Sequence, residues 1–147
     1  MTTQQQVSNP LTLVMNIKSP EDFEALKKLL GGIADGPPDE NPINKALTEV
    51  GTVHFARFVF LSQTQLAVIT AYDGSFDVYI RAFTHFLGDI FDTLLSHMCD
   101  APPLPVKDNI AEFLAYIQAN DLSYGQTFYS AYPTLSVQDI LGLAGGS

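Results

Sequence analysis

Residues 52–61 read TVHFARFVFL and residues 66–72 read LAVITAY. Runs this dense in β-branched and aromatic side chains favour strands. The residues between them, Ser62, Gln63, Thr64 and Gln65, are polar, so the natural reading is a hairpin. The constraint lies in the pattern. A sheet with one wet face alternates apolar and polar residues. Here both alternate sets are mostly apolar, so both faces of the hairpin call for cover. Helices can cover one face; the other needs a further layer.

The flanking sequence supplies the helices. Residues 11–17 (LTLVMNI) form a short apolar run suited to a buried strand, preceded by a polar tail over residues 1–9. Ser19 is a helix cap, Pro20 suits the first helical position, and Asp22 completes a capping box. Phe23, Leu26, Leu29, Leu30 and Ile33 then recur at helical spacing. Residues 35–42 (DGPPDENP) are a loop by composition, and residues 43–50 a short helix. After the hairpin, Tyr72-Asp73-Gly74-Ser75 is a strand end, a turn and a helix cap. From Phe76 to Met98 one wide apolar stripe marks the longest helix, with Asp77 and Arg81 as an i, i+4 pair on its wet side. The proline-rich APPLPV ends it. A third long helix, capped by Asp108, carries Ile110, Phe113, Leu114 and Ile117. Residues 126–132 (QTFYSAY) read as a last strand, and Ser136 with Asp139 as the capping box of a final helix.

Stripped of its extra helices this order is βαββαβ, the ferredoxin-like plan of an antiparallel sheet with helices on one face. The whole chain, 1–147, is expected to be one α+β domain. The segment FARFVFL followed by LAVITAYDGSFDVYIRAF resembles a pattern in uncharacterised members of the dimeric α/β-barrel superfamily. The resemblance implies that a second copy's sheet covers the remaining face, and hence a homodimer. It implies no single activity, because those relatives include monooxygenases, isomerases, peroxidases, haem-degrading enzymes and ligand-sensing modules.

Charge narrows the partners. The formal net charge is −9, with only seven basic residues, and these form no cluster. Nucleic acid and anionic membrane both require clustered cations, so neither is expected. Charged residues are only 16% of the chain against 46% hydrophobic, which again favours apolar surface hidden in an oligomer. Cys99 is the single cysteine, so neither an internal disulfide nor a thiolate cluster is expected. No leader-like segment and no apolar run of about 20 residues is visible, and the cytoplasm is the expected compartment.

A four-residue hairpin loop would set Leu61 opposite Leu66, Arg57 opposite Thr70, Phe55 opposite Tyr72 and His54 opposite Asp73. Val53, Phe55, Arg57, Val59 and Leu61 would then share the barrel interior with Leu66, Val68, Thr70 and Tyr72. Arg57 is the most informative residue in this arrangement, because a guanidinium among apolar neighbours must find an anion. That anion is either a ligand group, with Tyr72 and Thr70 nearby, or a structural carboxylate. His54 is either a base or metal ligand oriented by Asp73, or a sheet-edge histidine paired with it. His85 falls on a solvated helix face, and His97 sits where it favours the helix dipole. Of Tyr129 and Tyr132, at most one lines the interior with Tyr72.

The sequence contains no phosphate loop, CxxC, HExxH or GxSxG pattern, and no metal set or cofactor is assigned. Three readings stay open. The first is a small-molecule-binding dimeric barrel holding an anionic or apolar ligand at Arg57, Tyr72, Thr70, His54 and Tyr129. The second is a cofactor-independent or haem-dependent oxidoreductase. The third is a structural or interaction subunit.

Overall fold

Short polar side chains set where each helix begins. Ser19 lies in extended backbone, and its hydroxyl accepts the Asp22 N–H (3.2 Å), opening α1 over Pro20–Ala34. The Asn41 side chain accepts the amides of Ile43 and Asn44 and opens α2, Pro42–Val50. Gly51, at φ 79°, closes it in a left-handed conformation that a Cβ would disfavour. Ser75 caps α3, Phe76–Leu95. The helix α4 spans Ile110–Asn120. Its cap position is Asn109 rather than Asp108, which lies in a preceding 3₁₀ turn at Val106–Asp108. The expected capping box of Ser136 and Asp139 opens α5, Val137–Leu143. The computed structural model describes residues 6–123 and 127–145.

The strands are β1 (Ser8–Asn16), β2 (Val53–Ser62) and β3 (Gln65–Asp73), in the order β1-β3-β2 with antiparallel neighbours. The strand β1 therefore starts inside what the sequence suggested was tail. The protein is α+β, with one three-stranded antiparallel sheet and five α-helices among the described residues. No helix there is long and apolar enough to cross a membrane.

The expected fourth strand is absent: residues 127–132 take no strand conformation, and Gln126 lies outside the described residues. The described chain nevertheless meets the open edge of β1 and the residue before it. Leu122 N–H donates to the Thr12 carbonyl (2.8 Å), and Val7 N–H donates to that of Pro133 (2.8 Å). Between these points Pro10 offers no N–H, and its ring is tolerated only where the missing donor faces an outer edge. The Tyr132 amide is taken by the Ser130 hydroxyl (3.1 Å). Local side-chain bonding of this kind competes with a ladder.

The hairpin register also departs from expectation. Ser62 pairs with Gln65, so the turn is Gln63-Thr64, tightened by the Thr64 N–H donating to Ser62 Oγ (3.1 Å). Between Phe60 and Ser62 the ladder then shifts by one residue, leaving Leu61 as a bulge. Phe60 thus opposes Leu66, and Arg57 opposes Ile69 rather than Thr70. A second irregularity between Val53 and Phe55 sets Phe55 opposite Ala71 and leaves His54 as the extra residue. A one-residue slip exchanges the faces of a strand relative to its neighbour.

The core lies between the helices and one face of the sheet. Leu11, Leu13 and Met15 of β1, Leu66, Val68 and Tyr72 of β3, and Phe58 and Phe60 of β2 point into it. The α3 stripe packs on them through Tyr79, Ile80, Phe83, Leu87 and Phe91. Phe91 is the hub, with ring centroids 6.5 Å from Phe58, 5.0 Å from Phe83 and 5.7 Å from Phe113 of α4. Beyond α3, Cys99 N–H donates to the Asn16 carbonyl (2.7 Å), drawing the chain back against the end of β1. His97 Nδ1 meets Asp22 Oδ1 at 2.7 Å, tying the end of α3 to the start of α1. The Ser19 hydroxyl, and then His97, hold the Asp22 carboxyl below the usual carboxylate range.

Since Phe91 joins the sheet, α3 and α4, Phe91→Ala should cost about 3–5 kcal/mol, the range for a large buried ring truncated in a packed core. Phe55→Ala, at an exposed position, should change stability by no more than about 0.5 kcal/mol. Urea unfolding of the two variants checks both values.

Candidate functional site

The two hairpin irregularities decide what the candidate residues can reach. Phe55, Arg57 and Val59 lie on the sheet face away from the helices, with Ile69 and Ala71. Thr70 and Tyr72 lie on the helix face, where packing engages them. Both are buried. The Tyr79 hydroxyl donates to Thr70 Oγ1 (3.2 Å), and the Tyr79 and Tyr72 rings stack at 4.2 Å. Burial pushes the Tyr79 hydroxyl up to about 12 and raises that of Tyr72. Arg57 is thus separated by the sheet from Thr70 and Tyr72, and the three form no common site. Its side chain is exposed, and it makes no ion pair among the described residues.

A different group of residues does converge. The extra residue His54 sits on the outer strand β2, and its Nε2 lies 2.6 Å from Asp73 Oδ1 at the end of β3. The His54 and Asp73 side chains keep only 14% and 9% of their surface exposed. The second Asp73 oxygen accepts the N–H of Val137, the first residue of α5, at 2.7 Å. One carboxylate therefore orients the imidazole and anchors α5. Because a carboxylate accepts and does not donate, Nε2 carries the imidazole proton. The Nδ1 of His54 has no partner among the described residues.

Next to His54 lies a groove of about 720 Å³. One wall is α2, through Leu47 and Thr48. The floor is the start of β2, from Val53 to Ala56. The segment 128–132 and the α5 residues Val137, Ile140 and Leu141 complete it. Tyr129, 82% exposed, stands on its rim with Tyr132. The polar side chains of the α2 and α5 walls each make one bond to the backbone. Asn44 Nδ2 donates to the Pro38 carbonyl (3.0 Å), Thr48 Oγ1 to that of Asn44 (2.9 Å), and Gln138 Nε2 to that of Gly51 (3.0 Å).

Of the five residues singled out from the sequence, His54 and Tyr129 meet at this groove, while Arg57, Thr70 and Tyr72 do not line it. His85 is exposed on α3 with its ring against Phe86. No group of three residues suited to hold a metal occurs among the described residues. The α2 and α5 walls escaped sequence reasoning, because Leu47 and Ile140 read only as apolar positions of short helices. The second bond of Asp73, to a residue 64 positions away, left no local signal.

No family model matches the chain, and no similar protein was found among curated proteins or solved structures. The geometry of the groove therefore carries the functional argument alone.

Loss of the Asp73 carboxylate should release α5 before it disturbs the hairpin. Asp73→Ala is expected to speed hydrogen exchange at Val137 and through α5, while Val68 and Leu66 keep their protection. Global stability should fall by about 1–3 kcal/mol, the range for a charge-assisted hydrogen bond. Mass-resolved exchange and urea unfolding measure the two effects separately.

Proposed function

We propose that this protein binds a small, largely apolar molecule in the groove beside His54. The observation that carries the reading is one oriented imidazole set in a wall of aliphatic and aromatic side chains. The volume falls in the usual range for small-molecule sites, roughly 300–1,000 Å³. Apolar surface supplies the affinity, and the imidazole orients the ligand. The same imidazole could move a proton if a bound molecule offered one, so a catalytic version of this reading uses the same residues.

A titration with the neutral fluorophore N-phenyl-1-naphthylamine tests the proposal. Saturable enhancement is expected, and Leu141→Arg, which puts a charge into the α5 wall, should weaken it at least about tenfold, the effect of about 1.4 kcal/mol. An unchanged titration in that variant, with its unfolding midpoint also unchanged, would remove the groove from consideration.

A second reading concerns assembly, and the exposed residues of β2 favour it. Phe55 is 79% and Leu61 53% exposed, and Arg57 stands between them in the strand. On the same sheet face Val14 and Ala67 are buried, so the exposure is concentrated on β2. The order β1-β3-β2, with a helical connection from β1 to β2, is also that of a βαββαβ plan short of its last strand. Both features support a ferredoxin-like chain that pairs with a second copy as a dimeric α/β barrel. A copy laid on this face would enclose Arg57, and an anionic ligand group would then be its natural counter-charge. Light scattering at micromolar concentration should give twice the chain mass of 16.1 kDa, and Leu61→Lys should return it to the monomer value. A monomer in the unaltered protein contradicts this second reading and leaves the groove untouched.

A further inference from the structure

The polar chemistry of the groove restricts the ligand further than its size does. We propose that the bound molecule presents a hydroxyl to His54: a phenol, enol or alcohol on an apolar body, rather than a carboxylate or a ketone. This rests on the groove reading above.

Asp73 sets the polarity of the imidazole. Its Oδ1 accepts from His54 Nε2 and its Oδ2 from the Val137 amide, so both oxygens are engaged and the imidazole proton is held on the Asp73 side. His54 lines the groove, and its other ring nitrogen, Nδ1, has no partner among the described residues and is a lone pair in a neutral imidazole. Asn44, Thr48 and Gln138 each spend one donor on a backbone carbonyl, whereas the imidazole is held in place by a buried carboxylate. The oriented polar atom offered is therefore an acceptor. A ligand hydroxyl satisfies it. A carboxylate or carbonyl would bring a second acceptor against it and leave both unpaired among apolar walls, and buried polar groups tolerate that poorly. The flanking Val53 and Phe55, with Leu47, Ile140 and Leu141, suit an alkyl or aryl body. Tyr129 and Tyr132, whose side chains are largely exposed, add hydroxyls at the rim.

The test compares three probes of matched length, para-hexylphenol, hexylbenzene and para-hexylbenzoate, by displacement of the naphthylamine fluorophore. In the unaltered protein the phenol should bind about tenfold tighter than either of the others, the effect of one well-placed hydrogen bond. The phenol's advantage over hexylbenzene should disappear in His54→Phe. The probe comparison in the unaltered protein needs no variant, so misfolding of His54→Phe would not spare the proposal. Three equal affinities, a tighter benzoate, or a phenol advantage that survives His54→Phe would each overturn the hydroxyl assignment and leave the groove standing. Failure of all three probes and of the fluorophore to bind would overturn the groove reading, and this one with it.

Discussion

The register between β2 and β3 is the constraint on which the rest of the structure depends. A bulge at Leu61 slips the ladder by one residue just beyond the turn. The slip puts Leu66, Val68, Thr70 and Tyr72 on the same face as Phe58 and Phe60, against α3. It puts Arg57 and Phe55 on the other face with Ile69 and Ala71. The opposite register would set the guanidinium beside the threonine hydroxyl and Tyr72. The second irregularity, at His54, turns the imidazole toward the strand end instead of into the ladder. Bulges that re-aim a side chain in this way are common beside functional sites.

Asp73 then joins what the register has placed. It ends β3, receives His54 from β2, and holds the first amide of α5. No residue of α5 is buried, and the helix is only seven residues long. A helix of that length has little stability of its own in water. Its place as a groove wall therefore depends on a few specific bonds: Asp73 to Val137, Gln138 to Gly51, and the reciprocal cap of Ser136 and Asp139. The groove is thus built at the least buttressed end of the fold, where ligand binding and local opening share the same contacts.

Much of the scaffold was legible because its signals are local. The caps at Ser19, Ser75 and Ser136 and the α3 stripe lie where short-range chemistry puts them. The hairpin strands are also visible from β-branched and aromatic density. The face assignment was not legible, for the reason that made the hairpin notable. When both alternate sets of a strand are apolar, the pattern carries no parity, and a single bulge reverses the outcome unseen. The last strand failed on Pro10 and Ser130, whose effects fall on a neighbouring edge or on local amides. Of the candidate site, the His54–Asp73 contact follows from hairpin adjacency. The link from Asp73 to α5 follows from nothing local, since it closes a loop across most of the C-terminal half.

In the proposed site Asp73 fixes the proton of His54 on Nε2 and leaves Nδ1 as an acceptor. Long-range ¹H–¹⁵N correlation spectra of the His54 ring read the two nitrogens directly at neutral to mildly basic pH. A protonated Nε2 and an unprotonated Nδ1 are expected in the unaltered protein, with this bias weakened in Asp73→Asn. A ring protonated on Nδ1, or one whose tautomer is indifferent to Asp73, would contradict it.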